Sequence, residues 1–166
     1  MRQHAFTGVV WRILFTARND APLAPVLAPE GRFHHSGQPA LYASLSAEGA
    51  GVAIRRYVSP CDPDRSLLGL SVQATALIDL RELPDPAVAS QVWQDVRATG
   101  APAPTWAISD WARRLGAQGM LYPSRSRSDL THLVLFRWNA VNAAQIRLTQ
   151  PPCPWRPGSD PTRDPA

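Results

Sequence analysis

Lysine is absent from this chain of 166 residues, and arginine supplies all 17 of its basic side chains. The arginines are scattered from Arg2 to Arg163 without a sustained run, so the net charge of +4 does not gather into the basic stretch typical of nucleic-acid binders. Helix-turn-helix patterns and interleaved aromatic residues are also missing. We therefore expect no direct contact with nucleic acid.

Cysteine is scarce as well. Cys61 and Cys153 each stand beside proline, and they lack both CxxC spacing and regularly spaced histidine partners, which argues against a metal site. No window approaches the roughly 18 uninterrupted apolar residues that a membrane span needs. Residues 1–6 lack the apolar run and cleavage site of an export signal. We expect a soluble, cytoplasmic protein without membrane contact.

The length permits one domain with a hydrophobic core and is too short for two well-packed ones. Apolar residues make up 45% of the chain and charged residues 18%, which is typical of a folded protein. Strand patterns at 9–15, 40–43, 119–122, 133–136 and 144–148 mix with helical patterns at 46–56, 87–97 and 105–115. Residues 67–80 predict one bent strand or two consecutive ones. The fold class is therefore α/β (α+β), with a domain over 1–149 and an unpacked, proline-rich tail over 150–166.

Residues 31–44 carry the strongest functional pattern, because an arginine and a tyrosine stand on either side of a turn. The guanidinium of Arg32 can grip a diphosphate through two parallel charge-assisted hydrogen bonds. The ring of Tyr42 can stack on a flat, positively charged heterocycle. Nicotinamide dinucleotide carries both groups, so the pattern indicates a site for NAD+.

Further short motifs follow in a fixed order. They are Trp11-Arg12, Gly31-Arg32-Phe33, Ala40-Leu41-Tyr42, Ser46-Ala47-Glu48, Ile78-Asp79-Leu80 and Tyr122-Pro123-Ser124-Arg125. In this order and spacing, over residues 9–137, the chain resembles the RES-domain family, named for conserved Arg, Glu and Ser residues. Most members of that family are toxins of bacterial toxin–antitoxin modules.

The resemblance implies a single-domain, ADP-ribosyltransferase-like fold with a central mixed β-sheet flanked by helices. It implies that NAD+ binds in a cleft as the substrate and that its nicotinamide–ribose bond is broken. Some members destroy NAD+, and others pass ADP-ribose to a protein. The partners implied are an antitoxin with an Xre-like DNA-binding region, an intracellular protein acceptor and, within the antitoxin complex, a second copy of the toxin.

Five residues are expected at the site. Arg32, Tyr42 and Ser124 are predicted to be catalytic, and Arg12 and Glu48 join them in binding NAD+. Each also has a structural interpretation: an ion pair for Arg12, an ion pair of Arg32 with Glu30, a core position for Tyr42, a turn for Ser124 and helix capping for Glu48.

The sequence departs from the family at its principal glutamate, which falls on Ala53, or on Ile54 if the register slips by one. Neither side chain accepts a proton. We expect this absence to reduce attack by water and to favour transfer of ADP-ribose to a nucleophile on a protein. His34 and His35 replace the family's usual Asn and its proline or small residue. We expect them on an exposed loop as neighbours of the site, and we assign them no catalytic role.

The preferred function is therefore a toxin that acts as a mono-ADP-ribosyltransferase. The alternatives are an NAD+ glycohydrolase or phosphorylase that depletes cellular NAD+, a catalytically silent ADP-ribose-binding module, and a structural subunit whose arginines serve protein contacts.

Overall fold

A computed structural model describes residues 2–83 and 91–159. Its helices and strands are, in chain order, β1 (Gln3–Phe15), β2 (Leu41–Ser44), α1 (Ala47–Ile54), β3 (Arg65–Asp79), α2 (Trp93–Ala98), α3 (Pro104–Arg114), β4 (Gly119–Pro123), β5 (Thr131–Leu135), β6 (Gln145–Leu148) and β7 (Cys153–Trp155). Short 3-10 turns follow β1, α1 and β3. The mixed α/β single-domain fold predicted from the sequence is confirmed.

Strand β3 is the axis of the sheet. Along one edge it pairs antiparallel with β1 from Arg65 to Ile78. Along its other edge it pairs in succession with β7, β6 and β4, of which only β4 runs parallel to it. The sheet continues from β4 to β5 to β2 and returns to β1 through the pair Trp11 and Ser44. The strands therefore curl into a barrel-like enclosure.

Side chains alternate between two cores because successive residues of a strand point to opposite faces. Leu41, Leu121 and Leu133 join the core inside the curled sheet. Their neighbours Tyr122 and Val134 point the other way, into a second core. That second core includes Phe33 and residues of α3, so the outer face of β2, β4 and β5 is covered by a helix and a loop.

The two longer helices begin within one residue of the starts predicted for 46–56 and 105–115. The Ser46 hydroxyl caps α1 by accepting from the Gly49 N–H at 3.0 Å. Pro104 opens α3, where its missing N–H costs no hydrogen bond, and α3 buries Thr105, Ser109 and Ala112 along one side. None of the helices within the described ranges combines the length and hydrophobicity needed to traverse a lipid bilayer.

Several predicted boundaries need correction. The first strand begins at Gln3 rather than residue 9, and residues 67–80 belong to one continuous strand as far as Asp79. Within the predicted helix 87–97, residues 93–97 are helical, and 87–90 lie outside the described residues. The prediction of an unpacked tail is wrong for Cys153–Trp155, which pairs with β3 because Cys153 and Trp155 pack beside Leu67.

Candidate active site

A cavity of about 520 Å³ lies against the outer face of β2, β4 and β5, the face to which Tyr122 points. Its volume is within the range of roughly 300–1,000 Å³ usual for small-molecule sites. Arg12, Arg32, Tyr42 and Ser124 all line it, although they come from distant parts of the chain. Four of the five predicted site residues are therefore brought together.

The strand register explains how the floor of this cavity is built. Ser44 on β2 pairs with His132 on β5, and His132 pairs in turn with Tyr122 on β4. These three side chains form one row across three strands, and all line the cavity. Tyr42 and Ser124 stand two residues from Ser44 and Tyr122, so the period of two places them on the same face.

The arginine loop, residues 31–34, is fixed by helix α3. Trp106 Nε1 donates to the Gly31 carbonyl at 2.8 Å, and the Thr105 hydroxyl donates to the carbonyl of Arg32. Gly31 is required here because a Cβ atom would lie 2.2 Å from the His34 ring. The backbone that carries Arg32 is thus held from a helix more than seventy residues away in sequence.

The Tyr42 hydroxyl links this loop to β2. It accepts from the Phe33 N–H at 2.9 Å and donates to His34 Nδ1 at 2.9 Å, while His34 Nε2 donates to the Ala28 carbonyl at 2.8 Å. Burial raises the pKa of Tyr42 and lowers that of His34, so both stay neutral. His34 is 2% exposed, which corrects the expectation of a solvated histidine.

His35 is likewise packed rather than solvated. Its ring stacks on Trp106 with centroids 4.7 Å apart, and its Nε2 donates to Asp110 at 2.9 Å. The expectation of solvated histidines is wrong because the loop folds back onto α3, which presents Trp106 and Asp110 to it. The loop is exposed at Ser36 and Gly37.

Arg32 lies over an aromatic wall. Its guanidinium carbon is 4.9 Å from the centre of the Tyr122 ring and 5.2 Å from that of Phe33. Burial lowers its pKa, although an arginine remains charged at neutral pH. The ion pair with Glu30 considered from the sequence does not form, because Arg97 binds both carboxylate oxygens of Glu30 at 3.0 and 3.1 Å.

Arg12 has a structural task in addition to its place in the cavity wall. Its Nη1 donates to the carbonyls of Pro22 and Ala24 at 3.0 and 3.1 Å. Its Nε is buried and has no hydrogen-bond partner among the described residues. Burial, reinforced by Arg18, lowers the pKa of Arg12 to about 10. The guanidinium thus anchors the loop after β1 and keeps one donor, Nε, that no described residue accepts from.

Comparison with known proteins fits this arrangement. A sequence profile described as the RES domain matches residues 9–156. The chain belongs to the RES-domain family. A crystal structure of the M. tuberculosis MbcT–MbcA toxin–antitoxin complex matches with a TM-score of 0.63 at 20% sequence identity, over 93% of this chain and 87% of that chain. That likeness shows a shared fold. Comparison with curated proteins gives no match.

Glu48, the one acidic residue predicted at the site of this RES domain, does not reach the cavity. Glu48 lies outside it, with its exposed carboxylate paired to Arg127 at 3.0 Å. Because α1 turns Ala50 and Ala53 toward the cavity, a residue in the first turn at position 48 faces away. This corrects the placement of Glu48. Among the described lining residues, Glu30 is the single carboxylate, and Arg97 neutralises it.

Sequence reasoning missed several lining residues of this RES domain: Ser44, Arg55, Arg56, Tyr57, Trp93, Tyr122, Arg125 and His132. The strand period of two from Tyr42 and from Ser124 identifies Ser44 and Tyr122. His132 was missed because the predicted strand began one residue later. No group of three His, Cys, Asp or Glu side chains in the described part of the chain could hold a metal ion.

Proposed function

We propose that this RES domain binds NAD+ in the cavity, breaks the nicotinamide–ribose bond and transfers ADP-ribose to a protein. The proposal rests on one observation: Arg32 from the arginine loop, Tyr42 from β2 and Ser124 from the end of β4 line the same cavity. A guanidinium, a phenol ring and a hydroxyl are the groups that a diphosphate, a pyridinium and a ribose would contact.

The charge of the cavity supports an anionic ligand. Arg12, Arg32, Arg55, Arg56 and Arg125 line it, whereas Glu30 is already bound by Arg97. A diphosphate brings two negative charges to these arginines. Because Arg32 is largely buried, water screens its attraction for a phosphate less than at the surface. The rigid guanidinium fork also suits two phosphate oxygens better than an ammonium group would.

The apolar part of the wall supports a ligand with flat rings. Four aromatic residues line the cavity: Tyr42, Tyr57, Tyr122 and, at the start of α2, Trp93. Nicotinamide is cationic until its bond to ribose breaks, so an aromatic face attracts it electrostatically. Held between such rings, the nicotinamide and the ribose would stay aligned for bond breaking.

The proposed reaction needs little acid catalysis to begin, because nicotinamide leaves as a neutral molecule. Positive charge then develops on the ribose, and a nucleophile captures C1. Ala53 lines the cavity where the family has its glutamate, so no carboxylate stands there to activate water. Transfer to a nucleophile presented by a protein is therefore favoured over hydrolysis.

We further propose that the protein acts as a cytoplasmic toxin held in check by an antitoxin. Membership of the RES-domain family and the shared fold with the toxin–antitoxin complex support this role. The antitoxin would carry an Xre-like DNA-binding region and cover the mouth of the cavity, and the toxin would pair with a second copy in that complex. The protein acceptor is unidentified.

The proposal is tested with NAD+ labelled in its adenylate half, incubated with the purified protein and a bacterial lysate. Nicotinamide release, free ADP-ribose and labelled protein bands are measured together. We expect all cleavage to fall at least about tenfold in Arg32→Ala, since a charge-assisted contact contributes roughly 1.5–3 kcal/mol. Arg127→Ala is the matched control because Arg127 lies outside the cavity. Equal cleavage by the two variants would contradict the proposal.

A second candidate function follows from Ala53. If the missing carboxylate abolishes cleavage, the same cavity would serve as an ADP-ribose-binding module. Calorimetry with NAD+ and with ADP-ribose separates the two functions: the module binds both without releasing nicotinamide, whereas the transferase consumes NAD+. A protein with affinity for neither ligand would exclude both functions.

A further inference from the structure

Ser44 and His132 form a buried polar pair in the cavity wall. Their strands are antiparallel and place them directly opposite each other, with 2.6 Å between Ser44 Oγ and His132 Nδ1. Ser44 is 1% exposed and His132 is 4% exposed, yet both line the cavity. A hydroxyl hydrogen-bonded to an imidazole inside a ligand-sized cavity is an arrangement that can move a proton.

The surroundings of His132 keep its ring neutral. Tyr122 faces it from β4 at 5.4 Å between ring centres, Ser44 faces it from β2, and helix α1 presents Gly49 beside Ser44. The charged group that acts on it is Arg32. Burial, reinforced by Arg32, lowers the pKa of His132 to about 4. In the tautomer with its proton on Nε2, Nδ1 accepts the Ser44 hydroxyl hydrogen.

The other histidine in the wall is not available for this chemistry. Both nitrogens of His34 are engaged, one with the Tyr42 hydroxyl and one with the Ala28 carbonyl. Glu30 is bound by Arg97, and Ala53 stands where a carboxylate is expected. The Tyr42 oxygen of the His34–Tyr42 pair already accepts from the Phe33 N–H, whereas Ser44 Oγ bonds only His132 among the described residues. Ser44 can therefore accept a proton from a nucleophile while it passes its own proton to His132.

We propose that Ser44 and His132 together accept the proton of the nucleophile that attacks the ribose. This inference rests on the proposed function. The C1–N bond breaks, and its electron pair leaves with nicotinamide, while an acceptor oxygen or nitrogen forms the new bond to C1. The acceptor's proton passes to Ser44 Oγ as the proton of Ser44 moves to His132 Nδ1, and the imidazolium later releases a proton to water.

Binding of NAD+ would change the electrostatic surroundings of His132. The diphosphate that contacts Arg32 would offset the positive charge that disfavours an imidazolium at His132. The base therefore becomes stronger when NAD+ is bound, which couples proton acceptance to occupancy of the site.

The test compares wild type with His132→Asn and Ser44→Ala. Asparagine can still accept the Ser44 hydrogen bond but cannot take up a proton, so it preserves a structural role and removes a catalytic one. We expect His132→Asn to keep its melting temperature and NAD+ affinity and to lose about a hundredfold in transfer rate. Ser44→Ala should lose a similar factor. His4→Asn, a histidine exchange outside the cavity, is the control.

The pH dependence of the transfer rate distinguishes a catalytic role of His132 from a structural one, because a structural role would leave this dependence unchanged. We expect the wild-type rate to fall on the acidic side as His132 becomes protonated and this acidic limb to vanish in His132→Asn. Full activity with an unchanged profile in His132→Asn would overturn the inference and leave the proposed function standing. A wild-type protein that releases no nicotinamide would instead overturn the proposed function, and this role with it.

A second measurement needs no variant. Imidazole resonances of the wild-type protein, followed against pH with and without ADP-ribose, should show the pKa of His132 rising when the ligand binds. An unchanged value would contradict the coupling between Arg32 and His132.

Discussion

His34 and Tyr42 are joined by a hydrogen bond of 2.9 Å that ties the arginine loop to the sheet. The tyrosine oxygen also accepts from the Phe33 N–H, so one hydroxyl satisfies a backbone donor and a ring nitrogen. Because both groups are buried, neither can turn to water instead. The position of Arg32 is consequently set by a tyrosine ten residues along the chain.

Replacing this hydroxyl is the first prediction. Tyr42→Phe leaves the Phe33 N–H and His34 Nδ1 without partners and should lower the free energy of unfolding by about 1–3 kcal/mol. Denaturant unfolding measures the loss. Tyr57→Phe is the matched control: its hydroxyl is on an exposed side chain and bonds only Gln94 among the described residues, so a change within about 0.5 kcal/mol is expected. Equal losses in both variants would contradict the role given to Tyr42.

Stability should depend on pH through His132. Its pKa is about 4 in the folded protein, below that of an exposed histidine, so the unfolded chain binds more protons in mildly acidic solution. Stability is therefore complete above about pH 6.5 and falls as the pH drops toward about 4. Between pH of about 7.5 and about 5, His132 should contribute a loss of about 2 kcal/mol.

Unfolding of wild type and His132→Asn at the two pH values isolates this contribution. The other groups, including His34 with its lowered pKa, are the same in both proteins. The variant should lose about 2 kcal/mol less than wild type over this interval. A parallel loss in both proteins would mean that His132 already titrates normally in the folded state.

Introducing a carboxylate at position 53 should redirect the proposed reaction. Ala53 is exposed and lines the cavity, so Ala53→Glu needs no repacking of the core. A glutamate there can activate water, and we expect the ratio of free ADP-ribose to labelled protein to rise at least about tenfold. Ala107→Glu, an exposed position on α3 away from the cavity, is the control. An unchanged product ratio would refute the link between Ala53 and transfer.

Two glycines should respond to alanine with opposite signs. In Gly31→Ala the new Cβ lies 2.2 Å from the His34 ring, and the loop must move, at about 1–3 kcal/mol of stability. In Gly51→Ala the nearest atom is 3.5 Å away on Trp155, and the change within a helix should add about 0.5–1 kcal/mol. Thermal unfolding distinguishes them, and a gain in Gly31→Ala would show that the loop is not tightly held.

Part of the site can be predicted from the sequence, because motifs and the alternation of side chains along a strand depend on residues that are close in sequence. Tyr42 falls on a predicted strand, Ser124 follows shortly after another, and α1 begins within one residue of the predicted helix 46–56. The pairing of Ser44 with His132 depends on register between β2 and β5, which lie nearly ninety residues apart, and no local pattern specifies it. Likewise, the burial of His34 depends on where α3 docks.

The tail shows a different limit. Its proline content predicts an unpacked segment, but Pro154 lies in β7 opposite Ser66, at a place where proline is tolerated because an edge strand uses one edge only. Alternation then directs Cys153 and Trp155 to one face of the sheet, where they pack with Ile13, Ala50 and Leu67. The high proline content describes the tail as a whole. The strand forms because two particular residues, Cys153 and Trp155, pack against the core.

The distribution of the cavity wall along the chain has a consequence for synthesis. Arg12 and Arg32 leave the ribosome early, but the helix that clamps the arginine loop begins at Pro104, and His132 follows later still. A nascent or prematurely terminated chain that ends before β5 cannot assemble this constellation. Ligand binding is thus confined to molecules whose translation has passed β5, and shorter nascent chains carry the early arginines without the site that uses them.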